Sequence, residues 1–363
     1  KIVSAVALMR LYEQGRFQLD DPANDHLQTF QLQKRNRTDP PITVKHLLTH
    51  TAGLGEPAPF LSYIWPRLGG VGWPTGRPLP SLGRYYGNRL RPDSPPEAKW
   101  AYANHGFATV GQLVADLSAE PLGNYRSFAE HVRKNLFEPV GMFKSDFLRR
   151  PPVTHDLATG YTIKKDQPKP IWFDVDLITQ ADSSLFTTLT DFGQLMTSLL
   201  KGQILKPETL DLMWEPHFQL DEHLPAMGLG FFRENWPSAE QTHRVVGHNG
   251  AWVGFRSSMW LAPDAKYGVF ASTNTGSDVV ISLAKNLLRD LLNVRSPQEG
   301  LPDLPAQPEL LRELVGEYEP YPGWKSNLRL WLYYGARLSV YTSGDNLYVR
   351  SGRPWFPRNT SLR

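Results

Sequence analysis

Residues 42–54 read ITVKHLLTHTAGL. Ile42 to His50 has the apolar spacing of a short helix, Thr43 stands where an N-cap belongs, and Gly53 lies just past the end, where a C-terminal glycine belongs. Toward the N-terminus, Gln18-Leu19-Asp20-Asp21-Pro22 reads as a turn. Residues 1–15 before it read as a helix, with Ile2, Val6, Leu8, Met9 and Tyr12 at helical spacing and Gly15 as its stop. Toward the C-terminus, residues 55–99 are rich in Gly, Pro and aromatic side chains and read as one long loop, of the kind more often functional than passive. A helix is expected over 104–118, with Phe107, Val110, Val114 and Leu117 on one face, and a third over 124–135.

The second half changes character. Residues 150–182 predict irregular chain with short strands. Leu189–Leu200 predicts a helix with Thr190 or Asp191 at its start, and 207–214 another. From 227 onward short strands are expected: Gly228–Phe232, then Gly254–Leu261 and Tyr267–Asn274, the last two as a hairpin. Residues 278–292 read as a closing helix, with Val279, Leu283, Leu287 and Leu291 at four-residue intervals. Four prolines between Ser296 and Pro308 mark a linker. The expected organisation is therefore a main domain over 1–295, a linker over 296–308 and a partial β-rich domain over 309–363.

Composition removes whole classes of function. Lys+Arg 39 against Asp+Glu 36 is too balanced for a nucleic-acid binder that works by neutralising phosphates. No run approaches 18 apolar residues, so no membrane-spanning helix is expected. There is no cysteine, which excludes disulfides, zinc thiolates, iron–sulfur clusters and cysteine nucleophiles within this chain without setting its redox compartment. The chain begins at Lys1, inside what reads as a helix with no cap, and shows no signal peptide. It reads as a fragment that lacks residues at the front and at the back.

Three local groups carry chemistry. Tyr102-Ala103-Asn104 places a phenol and an amide together just before a helix, and a phenol beside a cation serves as a general base. The plain alternative is a buried tyrosine with the asparagine capping the helix. Gly247-His248-Asn249-Gly250-Ala251 leads into a strand. Glycines there let a ligand approach the backbone of a strand edge, whose N–H groups can hold an oxyanion. The plain alternative is a hairpin entry. Lys1 stands at the positive end of a helix, an environment that suits a desolvated lysine to proton transfer, or else it is a frayed cation. His46 and His50, four apart, lack a third ligand at metal spacing and read as structural. Asp20-Asp21 reads as a solvated turn, and Trp252 either borders the site or packs.

Together and in order these stretches resemble the serine β-lactamase/penicillin-binding-protein superfamily over residues 1–292, closest to its class C-like branch of β-lactamases, D-aminopeptidases, carboxypeptidases and esterases. That family carries S-x-x-K, Y-x-N and then K-T-G or H-x-G. KIVSAVALMRLYEQGRFQLDDP is similar to the family's segment from the lysine of S-x-x-K onward, ITVKHLLTHTAGL to a branch pattern, Tyr102–Asn104 to Y-x-N, and GHNGAWVGFRSS (247–258) to H-x-G.

The resemblance implies an α+β fold of the β-lactamase/transpeptidase type. Its mostly antiparallel sheet is flanked by helices, a helical region intervenes, and the strands that members supply before the serine are missing. It also implies an acyl-serine mechanism. Lys1 would be the lysine of S-x-x-K, its serine three residues upstream of the chain, so that this chain alone is inactive. Ser4 is no substitute, because no lysine stands three residues after it. Lys1 and Tyr102 would share the proton, Asn104 would orient Lys1 or the substrate, and Ala251 N–H, beside Gly250, would help form the oxyanion hole. No metal or organic cofactor is needed, and the implied partner is a small-molecule or peptide acyl substrate. His248 stands where class C β-lactamases have lysine. An imidazole with an ordinary pKa of about 6.5 is mostly neutral at pH 7, which favours esters, amides or peptides over efficient β-lactam hydrolysis. The rivals are a non-catalytic paralogue that binds peptidoglycan fragments or acyl groups, and a scaffold protein. Retention of Lys1, Tyr102, Asn104 and His248 together argues against the scaffold.

Overall fold

The computed structural model describes residues 1–55, 70–118, 127–151, 153–164, 167–171, 175–222, 224–295, 312–318, 338–343, 346–351 and 360–362. The expected linker at 296–308 lies outside these residues, as do 56–69 of the expected loop and 124–126 of the expected third helix.

Helix α1 (Ile2–Glu13) is the central pillar. Nine of its residues, Ile2 to Met9 and Leu11, are buried. A helix apolar on every side belongs in the middle of a core. It closes as read, with Gly15 left-handed at φ 70 and the 5→2 and 6→1 hydrogen bonds from Gly15 N to Tyr12 O and Arg16 N to Leu11 O. Helix α2 (Val44–Leu48) starts at Thr43 with a capping box in which His46 supplies the reciprocal acceptor. Its end differs from the reading. His50, not Gly53, is the left-handed residue after the cap, at φ 59, with Thr51 N donating to His46 O at 3.0 Å. Gly53 is also left-handed, but its role is close approach: a Cβ there would overlap the Ser94 backbone.

The 55–99 stretch is not one continuous loop. Gly72–Pro74 is a strand paired antiparallel with Val175–Leu177, and Leu82–Tyr86 is a short helix capped by Ser81. Helix α3 (Asn104–Leu117) follows and packs against α1. The third expected helix is broken: Phe128–Val132 is α-helical, Arg133–Phe137 is a π-turn and Glu138–Val140 is 3-10, with Pro139 in its first turn. Helix α4 (Leu189–Leu200) has its bounds as read, but its cap is Thr188, whose side chain accepts from Asp191 N.

The main sheet is fully antiparallel in the order β1 (Ala226–Met227), β2 (Phe232–Pro237), β3 (Thr242–Trp252), β4 (Phe255–Ala262), β5 (Tyr267–Thr273). Of the expected strand at 228–232 only Phe232 is strand, as the first residue of β2; 228–231 form a turn, because their amides go elsewhere: Leu229 N to Met213 O and Gly230 N to Leu48 O. Alternation sorts the two faces. Val246, Met259 and Leu261 join the core built on α1, α2, α3 and α4. Val245, Trp260 and Ala262 join Trp236 and the closing helix α5 (Val279–Leu292). That helix buries Val280, Ala284, Leu288 and Leu292, while the stripe singled out from sequence, Val279, Leu283, Leu287 and Leu291, is 44–71% exposed. The helix rolls this way because the indoles of Trp236 and Trp260 already fill the layer and admit a face containing the small Ala284.

Farther along, Gly316–Tyr318, Leu338–Ser343, Asn346–Ser351 and Thr360–Leu362 form a separate four-stranded antiparallel sheet. No helix among the described residues is long and apolar enough to cross a membrane.

Candidate active site

Four segments converge on one cleft. Lys1 stands at the N-cap of α1, and its Nζ donates to Asn104 Oδ1 at 2.6 Å and to the backbone oxygen of Asp182 at 3.1 Å. The same ammonium lies 4.9 Å from the centroid of the Tyr102 ring and 5.8 Å from that of Phe107. Asn104 does not cap its helix. Ala103 occupies the cap position, and the Asn104 amide oxygen is turned to Lys1. The simpler reading of Tyr102–Asn104 therefore fails on geometry. Asp182 contributes a carbonyl oxygen, a group that no residue type announces.

The opposite wall is β3. Strand β2 ends its pairing at Phe232 opposite Gly247, so residues 248–252 run on past it and, among the described residues, pair on one side only, with β4. Gly247 is required by packing: a Cβ there would overlap the Met259 carbonyl and sit 2.6 Å from the Trp260 indole. At Gly250 a Cβ would overlap Ser257 Oγ. His248, on the same face as Val246, looks toward α1. Its ring centroid is 6.0 Å from that of Tyr102 and 5.3 Å from that of Phe232. Its neighbour Asn249 faces the other way and accepts from Ser258 Oγ at 2.8 Å, which in turn accepts from Trp260 Nε1 at 3.0 Å. The first of these bonds ties the overhanging end of β3 to β4, and the second, within β4, orients the Ser258 hydroxyl for it.

His248 is a neutral group here. Nδ1 donates to the Asn249 carbonyl at 2.6 Å, which leaves Nε2 as a bare acceptor, buried and with no partner among the described residues. Burial first, and then the positive charge of Lys1, lower its pKa from the ordinary histidine value to about 3. Ala251 and Trp252 continue the wall.

All six residues singled out from sequence (Lys1, Tyr102, Asn104, His248, Gly250 and Ala251) line or border one cavity of about 1400 Å³, together with Gly76–Leu82 from the former loop and Gln180–Leu185. Typical small-molecule pockets are roughly 300–1,000 Å³. His46 and His50 are engaged separately. His46 caps α2 and approaches Glu97 at 3.2 Å, while His50 accepts from Ala103 N at 3.1 Å. His50, read from sequence as merely structural, lies beside Tyr102 with ring centroids 4.4 Å apart. Its sequence signal is an imidazole where a glycine would close a helix at no cost.

The helical and antiparallel α+β frame that holds this lysine–tyrosine–asparagine cluster against the overhanging strand is that of the β-lactamase fold. The chain belongs to the beta-lactamase family, whose sequence pattern matches residues 1–307. It is 24% identical over 345 residues to penicillin-binding protein 4 of Amycolatopsis lactamdurans, covering 88% of this chain and 82% of that protein. It is 20% identical over 294 residues to protein Flp of Staphylococcus aureus, covering 81% of this chain and only 55% of that protein. In three dimensions it resembles the octameric penicillin-binding protein homologue from Pyrococcus abyssi, with a TM-score of 0.66, 23% identity, and coverage of 98% of this chain and 75% of that one.

Proposed function

We propose that this protein is a serine hydrolase that acts through an acyl-serine intermediate on an ester, amide or peptide. The observation that carries the reading is the 2.6 Å bond from Lys1 Nζ to Asn104 Oδ1, made beside the Tyr102 ring in a cleft whose far wall is His248–Ala251. The nucleophile is a serine three residues before Lys1. Its Oγ attacks the substrate carbonyl carbon and its proton passes to the Lys1–Tyr102 pair, which act as one unit. The oxyanion is held by the N–H of Ala251 and that of the serine. The pair returns the proton to the leaving alcohol or amine as the carbonyl bond to it breaks. Water then repeats the sequence on the acyl-serine and releases the acid.

The neutral His248 shapes substrate choice. Where a lysine would present a full cation to a substrate carboxylate, Nε2 presents a lone pair. The site therefore prefers acyl substrates whose leaving group carries no obligatory carboxylate, and p-nitrophenyl esters over β-lactams.

The test is made on the full-length protein. A serine three positions before Lys1, labelling of that serine by a fluorophosphonate, and turnover of p-nitrophenyl butyrate are expected. Any other residue there removes the covalent mechanism and leaves a protein that binds peptidoglycan fragments or acyl groups. Rapid hydrolysis of a chromogenic cephalosporin would overturn the substrate preference.

A further inference from the structure

We propose that His50 is a positioning residue for the proposed reaction, a clamp that holds Tyr102 at its working place beside Lys1; this rests on the acyl-serine reading above. His50 grips both neighbours of Tyr102. Its backbone oxygen accepts from Ala101 N at 3.0 Å, and its imidazole Nδ1 accepts from Ala103 N at 3.1 Å. Between these two anchors its ring lies against the Tyr102 ring, with centroids 4.4 Å apart and planes inclined by 33°, and Trp100 and Phe107 close the cage at 5.9 and 5.1 Å. The grip extends backward, since Thr51 O accepts from Glu97 N and Gly53 O from Asp93 N, so residues 93–103 are laced along 50–53.

Backbone geometry says that the side chain matters. His50 sits at φ 59 in the position that closes α2, where glycine is the residue of least strain. Histidine tolerates that region better than most side chains but at some cost. The imidazole that bears the cost is fully buried and makes the one bond a glycine could not make. Because Nδ1 accepts, the ring is neutral and carries its proton on Nε2. Burial, then the charge of Lys1, hold its pKa well below the ordinary value. It therefore positions without exchanging protons itself.

Two variants in the full-length protein separate this role from a purely structural one. His50→Gly keeps the left-handed backbone and loses the imidazole. His50→Asn tolerates the same backbone, and its amide oxygen reaches about where Nδ1 stood. With p-nitrophenyl butyrate, His50→Gly is expected to lower kcat on the order of 10- to 100-fold with KM changed less than about threefold, as displacement of a reacting group does. His50→Asn is expected to recover most of that loss, with the acid limb of its pH profile in place. Amide exchange of segment 101–104 should rise in His50→Gly and not in His50→Asn. Unchanged kcat and unchanged exchange in His50→Gly would overturn the clamp, as would a His50→Asn variant that loses as much as His50→Gly while its melting temperature is retained. Should the wild type fail to turn over the ester, the acyl-serine reading falls, and the exchange measurement still decides whether the imidazole holds the Tyr102 segment.

Discussion

Lys1 and Asn104, 103 positions apart in sequence, are joined by a 2.6 Å bond from ammonium to amide oxygen at the floor of the cleft. The bond links the start of the central helix α1 to the start of α3, and it leaves Lys1 with a second acceptor in the Asp182 carbonyl.

Removing that amide should uncouple chemistry from folding. Asn104→Ala leaves a part-buried ammonium with the Asp182 carbonyl as its remaining partner, which costs about 1–3 kcal/mol. The loss in kcat is expected to reach on the order of 10²-fold as Lys1 shifts. Denaturant melts and ester kinetics on the same preparations check both halves.

Stability should fall with acid through the histidines. The His248 pKa is lowered in the folded state to about 3, so between about 6.5 and 3 the unfolded chain binds the extra proton. Folding free energy is then full above pH 6.5 and is lost as pH falls, by up to about 1.4 kcal/mol per pH unit for each such group. His50 adds in the same direction. Urea melts at pH 7, 6 and 5 should show this slope, and His248→Asn should flatten part of it.

Gly247→Ala should be among the costliest single-methyl changes in the protein. The added carbon meets the Met259 carbonyl and the Trp260 indole, and neither can retreat because both belong to β4 in register with β3. Overpacking of this kind costs typically about 1–3 kcal/mol. Loss of ester turnover should accompany it, since His248 comes directly after the displaced residue and Ala251 four residues on, along the same strand.

On helix α5 the two neighbouring apolar stripes should respond oppositely. Leu288→Ala removes a fully buried side chain facing Trp236 and Trp260 and should cost about 2–5 kcal/mol. Leu287→Lys, one residue away at 44% exposure, should stay within about 0.5 kcal/mol. Thermal melts of this chain discriminate them.

The resemblance legible in 42–54, 102–104 and 247–258 pointed to the right family, and helical periodicity located α1, α3, α4 and α5 with nearly correct ends. These are local signals: 3.6-residue spacing, a threonine cap, a left-handed glycine at 15. What they missed is equally specific. Thr188 rather than Thr190 caps α4, because a cap is decided by which hydroxyl meets the third amide. The 228–231 turn looked like strand because its residues are apolar, yet its amides serve Met213 and Leu48. The four-residue stripe noted on α5 is the exposed one, and the buried stripe beside it went unnoted, because i, i+4 spacing is shared by both.

By itself the sequence determined the family and singled out Lys1, Tyr102, Asn104 and His248 by type, order and, around His248, neighbouring glycines. The tertiary structure alone decided what state those groups are in. Burial beside Lys1 makes His248 a neutral acceptor, and the end of β2 leaves 248–252 as an overhang. A left-handed turn at His50 brings an imidazole against the tyrosine 52 positions away. Charge state, edge exposure and ring contact depend on distances between segments remote in sequence, and no local pattern carries those distances.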